Sequence, residues 1–133
     1  MTQKVLFLCP HNAAKSLIAV AYFNQMAAQQ GIPFVADSAG TEPVDAVYPV
    51  VVKMLRQEGC DVSAYVPCHV TQDDLLSAAH IISMGCTPEA LNIAPEQVEL
   101  WSDLPMVSQE PERARDAIRT QVTELIERLK GRP

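Results

Sequence analysis

Val5-Leu6-Phe7-Leu8-Cys9-Pro10-His11-Asn12-Ala13-Ala14-Lys15-Ser16 passes from a short apolar block, through a proline-bearing loop, into Leu17, Ile18, Ala21, Tyr22 and Met26. Four consecutive apolar residues are the pattern of a strand buried on both faces of a parallel sheet. The later residues recur at helical spacing until Gly31-Ile32-Pro33, a helix stop. The segment therefore reads as strand, loop, helix, with a cysteine closing the strand.

The rest of the chain repeats this alternation. Phe34-Val35-Ala36 is a second strand, bounded by Pro33 and by Ser38-Ala39-Gly40. Pro49 opens a helix with Val51, Met54 and Leu55 on its apolar face and Gly59 at its end. Thr71 and Asp74 form a capping box ahead of Leu75 and Leu76. His80 to Met84 is a third strand. Val98, Leu100 and Trp101, alternating with Gln97 and Glu99, are a fourth, placed at a sheet edge. Ile118, Val122, Leu125 and Leu129 give an amphipathic closing helix. The expected architecture is α/β, three-layer α/β/α, with a four-stranded parallel sheet and residues 1–133 as one domain. Ligands of such sheets bind beyond the carboxyl ends of the strands, which selects the loops after Leu8, Asp37, Met84 and Trp101.

Composition narrows the partners. Sixteen acidic against ten basic residues give a formal charge of −6, which opposes binding to nucleic acid or an anionic membrane surface. No apolar run approaches the roughly 18 residues of a membrane span, and the N-terminal block is too short for a signal-peptide core. The expected location is the cytoplasm, where the four cysteines at 9, 60, 68 and 86 remain thiols. Their spacing shows no C-x-x-C pair and no zinc-finger histidine, so no metal is expected.

The loop carries the chemistry. A cysteine at a strand end, facing amides that curl toward a helix N-terminus, sits in a positive field that favours thiolate over thiol. Pro10, His11, Asn12, Ala13 and Ala14 are about enough chain to wrap one phosphate-sized anion. Lys15 adds a full charge to that oxyanion site, and Ser16 a hydroxyl for the sulfur. Nucleophile and anion site coincide.

This loop resembles that of the low-molecular-weight protein tyrosine phosphatase family and its arsenate reductase branch, whose pattern is Cys, five residues, Arg, then Ser or Thr, with Asn at the third place after Cys. Ser38-Ala39-Gly40-Thr41 resembles the family's Ser-Ala-Gly segment. Gly59-Cys60-Asp61-Val62-Ser63 is similar to its Gly-x-Asp-x-Ser, and Met84-Gly85-Cys86 to the Met-Gly-Cys of the reductase branch. Trp101-Ser102-Asp103-Leu104-Pro105 resembles the segment before the acid-bearing Asp-Pro. The resemblance implies Cys9 as nucleophile, Lys15 and Ser16 as its helpers, Cys86 as a resolving thiol and Asp103 as the nearest candidate acid. It implies no bound cofactor. Its partners are a small oxyanion such as phosphate or arsenate, or a phosphorylated substrate, with an external thiol donor or thioredoxin-type reductant.

Three departures separate the alternatives. Lys15 replaces the family's arginine, losing a planar fork for two oxygens while keeping the charge. His11 stands where the phosphatases have glycine, so its backbone either avoids positive φ or accepts strain. Met106-Val107 follows Leu104-Pro105 where Asp-Pro is expected, so Asp103 acts only if the loop is shifted. A thiol-dependent arsenate reductase, which depends less on that acid, is the leading expectation. A tyrosine phosphatase and a catalytically impaired oxyanion-binding or regulatory protein are the alternatives.

Overall fold

The computed structural model describes residues 2–131. Strand β1 (Gln3–Leu8) is central, and its last four residues are buried on both faces, as a continuous apolar run requires. It pairs in parallel with β2 (Phe34–Ala39), Gln3 opposite Phe34 and Leu8 opposite Ala39. On its other side lies β3 (His80–Ser83), with Val5 opposite His80. The two-residue β4 (Glu99–Leu100) closes the sheet beyond β3, giving the order β2-β1-β3-β4 with every pairing parallel. The expected edge position of the fourth strand is what the structure shows.

Helices cover both faces. α1 (Lys15–Gln30), α2 (Pro49–Gln57) and α5 (Pro111–Lys130) pack on the side of Val5, Phe7 and Ile82. Phe7 sits edge-on to Phe23 at 5.8 Å and tilted against Trp101 at 5.6 Å, the favoured aromatic geometries. The opposite face buries Leu6, Leu8 and Ile81 against Leu75 of α3 (Gln72–Ser77) and Leu91 of α4 (Pro88–Leu91). These are the three layers predicted, with a parallel sheet between them.

The local signals act as expected. Gly31 ends α1 in the left-handed region at φ 64°. Pro49 occupies the first turn of α2. The Asp74 N–H donates to Thr71 Oγ1 at 3.0 Å while the Thr71 N–H donates to Asp74 Oδ2 at 2.9 Å, a complete capping box.

Two expectations need correction. Ser38 and Ala39, read as the boundary of the second strand, belong to it. Pairing with Phe7 and Leu8 supplies their backbone partners, which side-chain polarity could not reveal. The one-turn α4 has no apolar period to betray it. It rests on Pro88 in its first turn and on the Thr87 hydroxyl accepting from the Ala90 N–H at 3.1 Å.

The parallel order brings the loops after β1, β2, β3 and β4 to one edge of the sheet, the edge at which the cysteine of the first loop lies.

Candidate active site

Cys9 follows β1 directly and is 5% exposed. Its Sγ donates to Ser16 Oγ at 3.1 Å, and the Asn12 side-chain Nδ2 donates to the same oxygen at 3.0 Å. Because Asn12 fills an acceptor position on Ser16, the serine hydroxyl proton is free to turn toward the sulfur once Cys9 ionises. Ser16 and Asn12 are fully buried, so this chain of polar groups is shielded from competing water.

The direction of the loop amides follows from where its carbonyls go. Pro10 C=O accepts from the Glu42 N–H at 2.7 Å, and Ala13 C=O from the Tyr48 N–H at 3.1 Å. There are no cis peptides among the described residues, and in a trans peptide C=O and N–H point opposite ways. The N–H groups of His11 and Ala14 are therefore turned away from the β2–α2 segment. Ala14, the N-cap of α1, makes no side-chain cap, so no capping side chain takes up the first amides of that helix. The Asn12 N–H closes a turn on Cys9 C=O at 3.3 Å and does not join the cradle.

The sharp turn falls on Asn12, whose φ of 53° is left-handed; His11 keeps negative φ, which settles the question left open for that residue. Asparagine tolerates this conformation better than most residues. It is pinned there because its Oδ1 accepts from Tyr65 Oη at 2.8 Å and from the Cys68 N–H at 2.9 Å. Tyr65 Oη also lies 2.9 Å from Ser38 Oγ. Burial foremost, with the Cys68 thiol adding to it, pushes the Tyr65 phenol up to about 12.

Two glycines let neighbouring loops touch this one. A Cβ on Gly40 would lie 2.5 Å from Pro10 O and 2.6 Å from Cys9 O, both backbone atoms. Gly85, at φ 116°, places its backbone against the Pro10 ring.

The cleft in front of Cys9 has a volume of about 570 Å³ and is lined by Cys9, Pro10, His11, Ala14 and Lys15, with Glu42, Tyr48, Met84, Gly85 and Met106 to Ser108 as its walls. Nucleophile, cation and most of the predicted oxyanion residues thus meet in one place. Asn12, Ala13 and Ser16 lie beneath that surface as its buried support. Lys15, the first residue of α1, pairs with no carboxylate among the described residues.

Asp103 and Cys86 are elsewhere. They line an adjoining cleft of about 300 Å³ that shares only Lys15, Met84 and Gly85 with the first. Asp103 is itself left-handed, at φ 61°. Cys86 is 3% exposed and packs in the cluster on the far face of the sheet, its Sγ 3.6 Å from Thr41 Oγ1. Burial above all, with the nearby Cys9 charge adding to it, raises its thiol above the ordinary range. All four cysteines are free thiols. Among the described residues no cluster of His, Cys, Asp or Glu is arranged to hold a metal ion, and no helix is long and apolar enough to cross a membrane.

Sequence reasoning missed Glu42, Tyr48 and Tyr65 as parts of this site. Ser38-Ala39-Gly40-Thr41 marked the neighbourhood of the first two, but the partners of His11 and Asn12 lie 37 and 53 residues away and leave no periodic trace.

Comparison with known proteins agrees with this geometry. A protein of Halobacterium salinarum named "Putative arsenate reductase" is 29% identical over 131 residues, covering 95% of this chain and 92% of its own. The thioredoxin-dependent arsenate reductase of Corynebacterium glutamicum superposes with a TM-score of 0.80 at 27% identity, over 97% of this chain and 62% of that one. The low molecular weight protein tyrosine phosphatase of T. tengcongensis shares the fold, with a TM-score of 0.82 at 20% identity over 96% and 99% of the two chains. A sequence model of the low molecular weight phosphotyrosine protein phosphatases matches residues 4–101, and with Cys9 and its loop at the head of the sheet the chain belongs to that family.

Proposed function

We propose that the chain is a cysteine-nucleophile oxyanion enzyme and that its reaction is thiol-dependent reduction of arsenate. The observation that carries the reading is the coincidence of the Cys9 sulfur, its Ser16 and Asn12 support, the loop residues His11 and Ala14, and the Lys15 charge at one cleft. Such a cradle stabilises thiolate and binds a tetrahedral anion against it.

In the first step the Cys9 thiolate forms an S–As bond and one arsenate oxygen leaves as water. A second thiol then attacks Cys9 Sγ. The S–As electron pair stays on arsenic, which passes from As(V) to As(III), arsenite departs, and a disulfide remains for a further thiol to reduce. Cys86 or an external thiol supplies the attack, and a low-molecular-weight thiol or thioredoxin-type protein of the cytoplasm completes the cycle. Arsenate reduction is set ahead of phosphoester hydrolysis because the two arsenate reductase relatives share 29% and 27% of their residues with this chain, against 20% for the tyrosine phosphatase of T. tengcongensis.

The test is arsenite formation from arsenate with dithiothreitol or a thioredoxin system, set beside phosphate release from an aryl phosphate. Arsenite formation is expected to need a thiol donor and to vanish in Cys9→Ser. Lys15→Arg, which restores a bidentate contact, is expected to raise the rate about tenfold or more. Phosphate release without arsenite would replace the reading by a phosphatase, and anion binding without turnover would replace it by a regulatory protein.

A further inference from the structure

Resting on Cys9 as the nucleophile, we propose that His11 is the residue that gives a proton to the departing oxygen, and that Tyr48 is its positioning residue. The step needs an acid because an oxygen leaving arsenic or phosphorus with a full negative charge is a poor leaving group, and a positioned donor is worth about 10²- to 10⁴-fold. The acid must share the cleft with Cys9.

Asp103 does not line that cleft, and the segments after β3 and β4 that do so contribute no charged side chain. The titratable groups that face His11 there are Cys9 and Lys15 from its own loop and Glu42 and Tyr48 from the segment after β2. Cys9 is the nucleophile and Lys15 holds the anion. Glu42 is exposed, as His11 is, but among the described residues it is tied to the loop by its main chain alone, from its N–H to Pro10 C=O.

His11 differs from Glu42 in being held by its side chain. Its Nδ1 lies 2.9 Å from Tyr48 Oη, and the two rings meet edge to face at 6.5 Å and 76°. Tyr48 is in turn fixed to the same loop by its N–H on Ala13 C=O and stands at the N-cap of α2. The ring is thus oriented from both ends of the loop, and Nε2, on its opposite edge, has no partner among the described residues. Imidazole is also the side chain that ordinarily exchanges protons between pH 5 and 8.

The step balances without any change of oxidation state. As Cys9 Sγ bonds to arsenic or phosphorus, the bond to the leaving oxygen breaks, and its electron pair takes the proton from His11 Nε2. The ring finishes neutral, with Nδ1–H donating to Tyr48 Oη. Water leaves from arsenate, or an alcohol from a phosphoester.

The experiment compares phenyl phosphate, whose leaving group needs a proton, with p-nitrophenyl phosphate, whose leaving group does not. His11→Gln is expected to lower kcat/KM for phenyl phosphate about 10²-fold while leaving p-nitrophenyl phosphate within about fivefold, and to erase the fall in rate on the alkaline side of the pH profile. Tyr48→Phe, which frees the ring without removing it, is expected to cause a smaller loss of the same kind. Both variants should keep the wild-type melting temperature. If arsenate alone is turned over, the alkaline limb is read on arsenite formation.

Equal losses on both aryl phosphates, a retained alkaline limb, or the leaving-group signature appearing in Glu42→Gln in place of His11→Gln would overturn the assignment while leaving the nucleophile reading intact. A wild-type protein inert toward arsenate and both esters removes the nucleophile reading, and the proton donor falls with it.

Discussion

Asn12 carries the order of the site in a single side chain. Its backbone is left-handed, its Nδ2 supports Ser16 beside the sulfur, and its Oδ1 takes two donors from distant segments. One donor, the Tyr65 phenol, is kept protonated over the ordinary pH range by burial. Tyr65→Phe removes that O–H and leaves a buried acceptor with one partner in place of two. The expected cost is about 1–2 kcal/mol in urea melts, with a fall in the rate of Cys9 alkylation as the loop loses its single conformation. Unchanged alkylation would mean that the Cys68 N–H alone suffices to hold Asn12.

At the scale of elements the weakest is β4, two residues long, and one side chain ties it down. Glu99 accepts from Arg128 of α5 through both carboxylate oxygens, at 3.1 and 2.8 Å, and from the Trp101 indole at 2.6 Å. Burial pushes the Glu99 carboxyl up, but the bonds from Arg128 and Trp101 and the arginine charge together outweigh it and hold it below its usual range. A carboxyl depressed on folding contributes stability above its unfolded pKa and loses it as pH falls through the folded value. Glu99→Gln is therefore expected to flatten the acid side of the stability curve, below about pH 4.5. Near pH 7 its effect stays within about 1 kcal/mol, because the pair is half exposed. Parallel acid curves for the two proteins would show that the tie does not act in solution.

For the whole molecule, stability rests on the larger of the two cores, where α5 lies along α1 and closes the layer over β1. Ile118 is fully buried there between Ala114 and Val122, and all three line the inner face of the helix. Ile118→Ala is expected to cost about 3 kcal/mol, seen as a fall of about 10 °C in the melting temperature. Ile118 does not line the Cys9 cleft, so the variant should keep its anion affinity at temperatures where it remains folded.

What could be read from the chain without coordinates was local. Val5 to Ser16 spell strand, loop and helix because buried strands are continuous in apolar residues, and because helix starts and stops are chosen by neighbours in sequence. The closing helix was legible for the same reason, its period surviving even with Arg115, Arg119 and Arg128 among the apolar positions. The short α4 and the last residues of β2 were not, since a single capped turn and a strand held by its neighbour's backbone leave no pattern in side chains. Cys9, Lys15 and Ser16 could be named as a nucleophile and its helpers because they share one loop. Only the tertiary structure decided which groups stand around them. Sheet order brings four loops to one edge, and the distances between loops depend on strand pairing and on close contacts such as Gly40 against Cys9 and Pro10. That is why Asp103, the nearest acid by motif, faces the adjoining cleft, while His11 and Tyr48, 37 residues apart, face the sulfur's own.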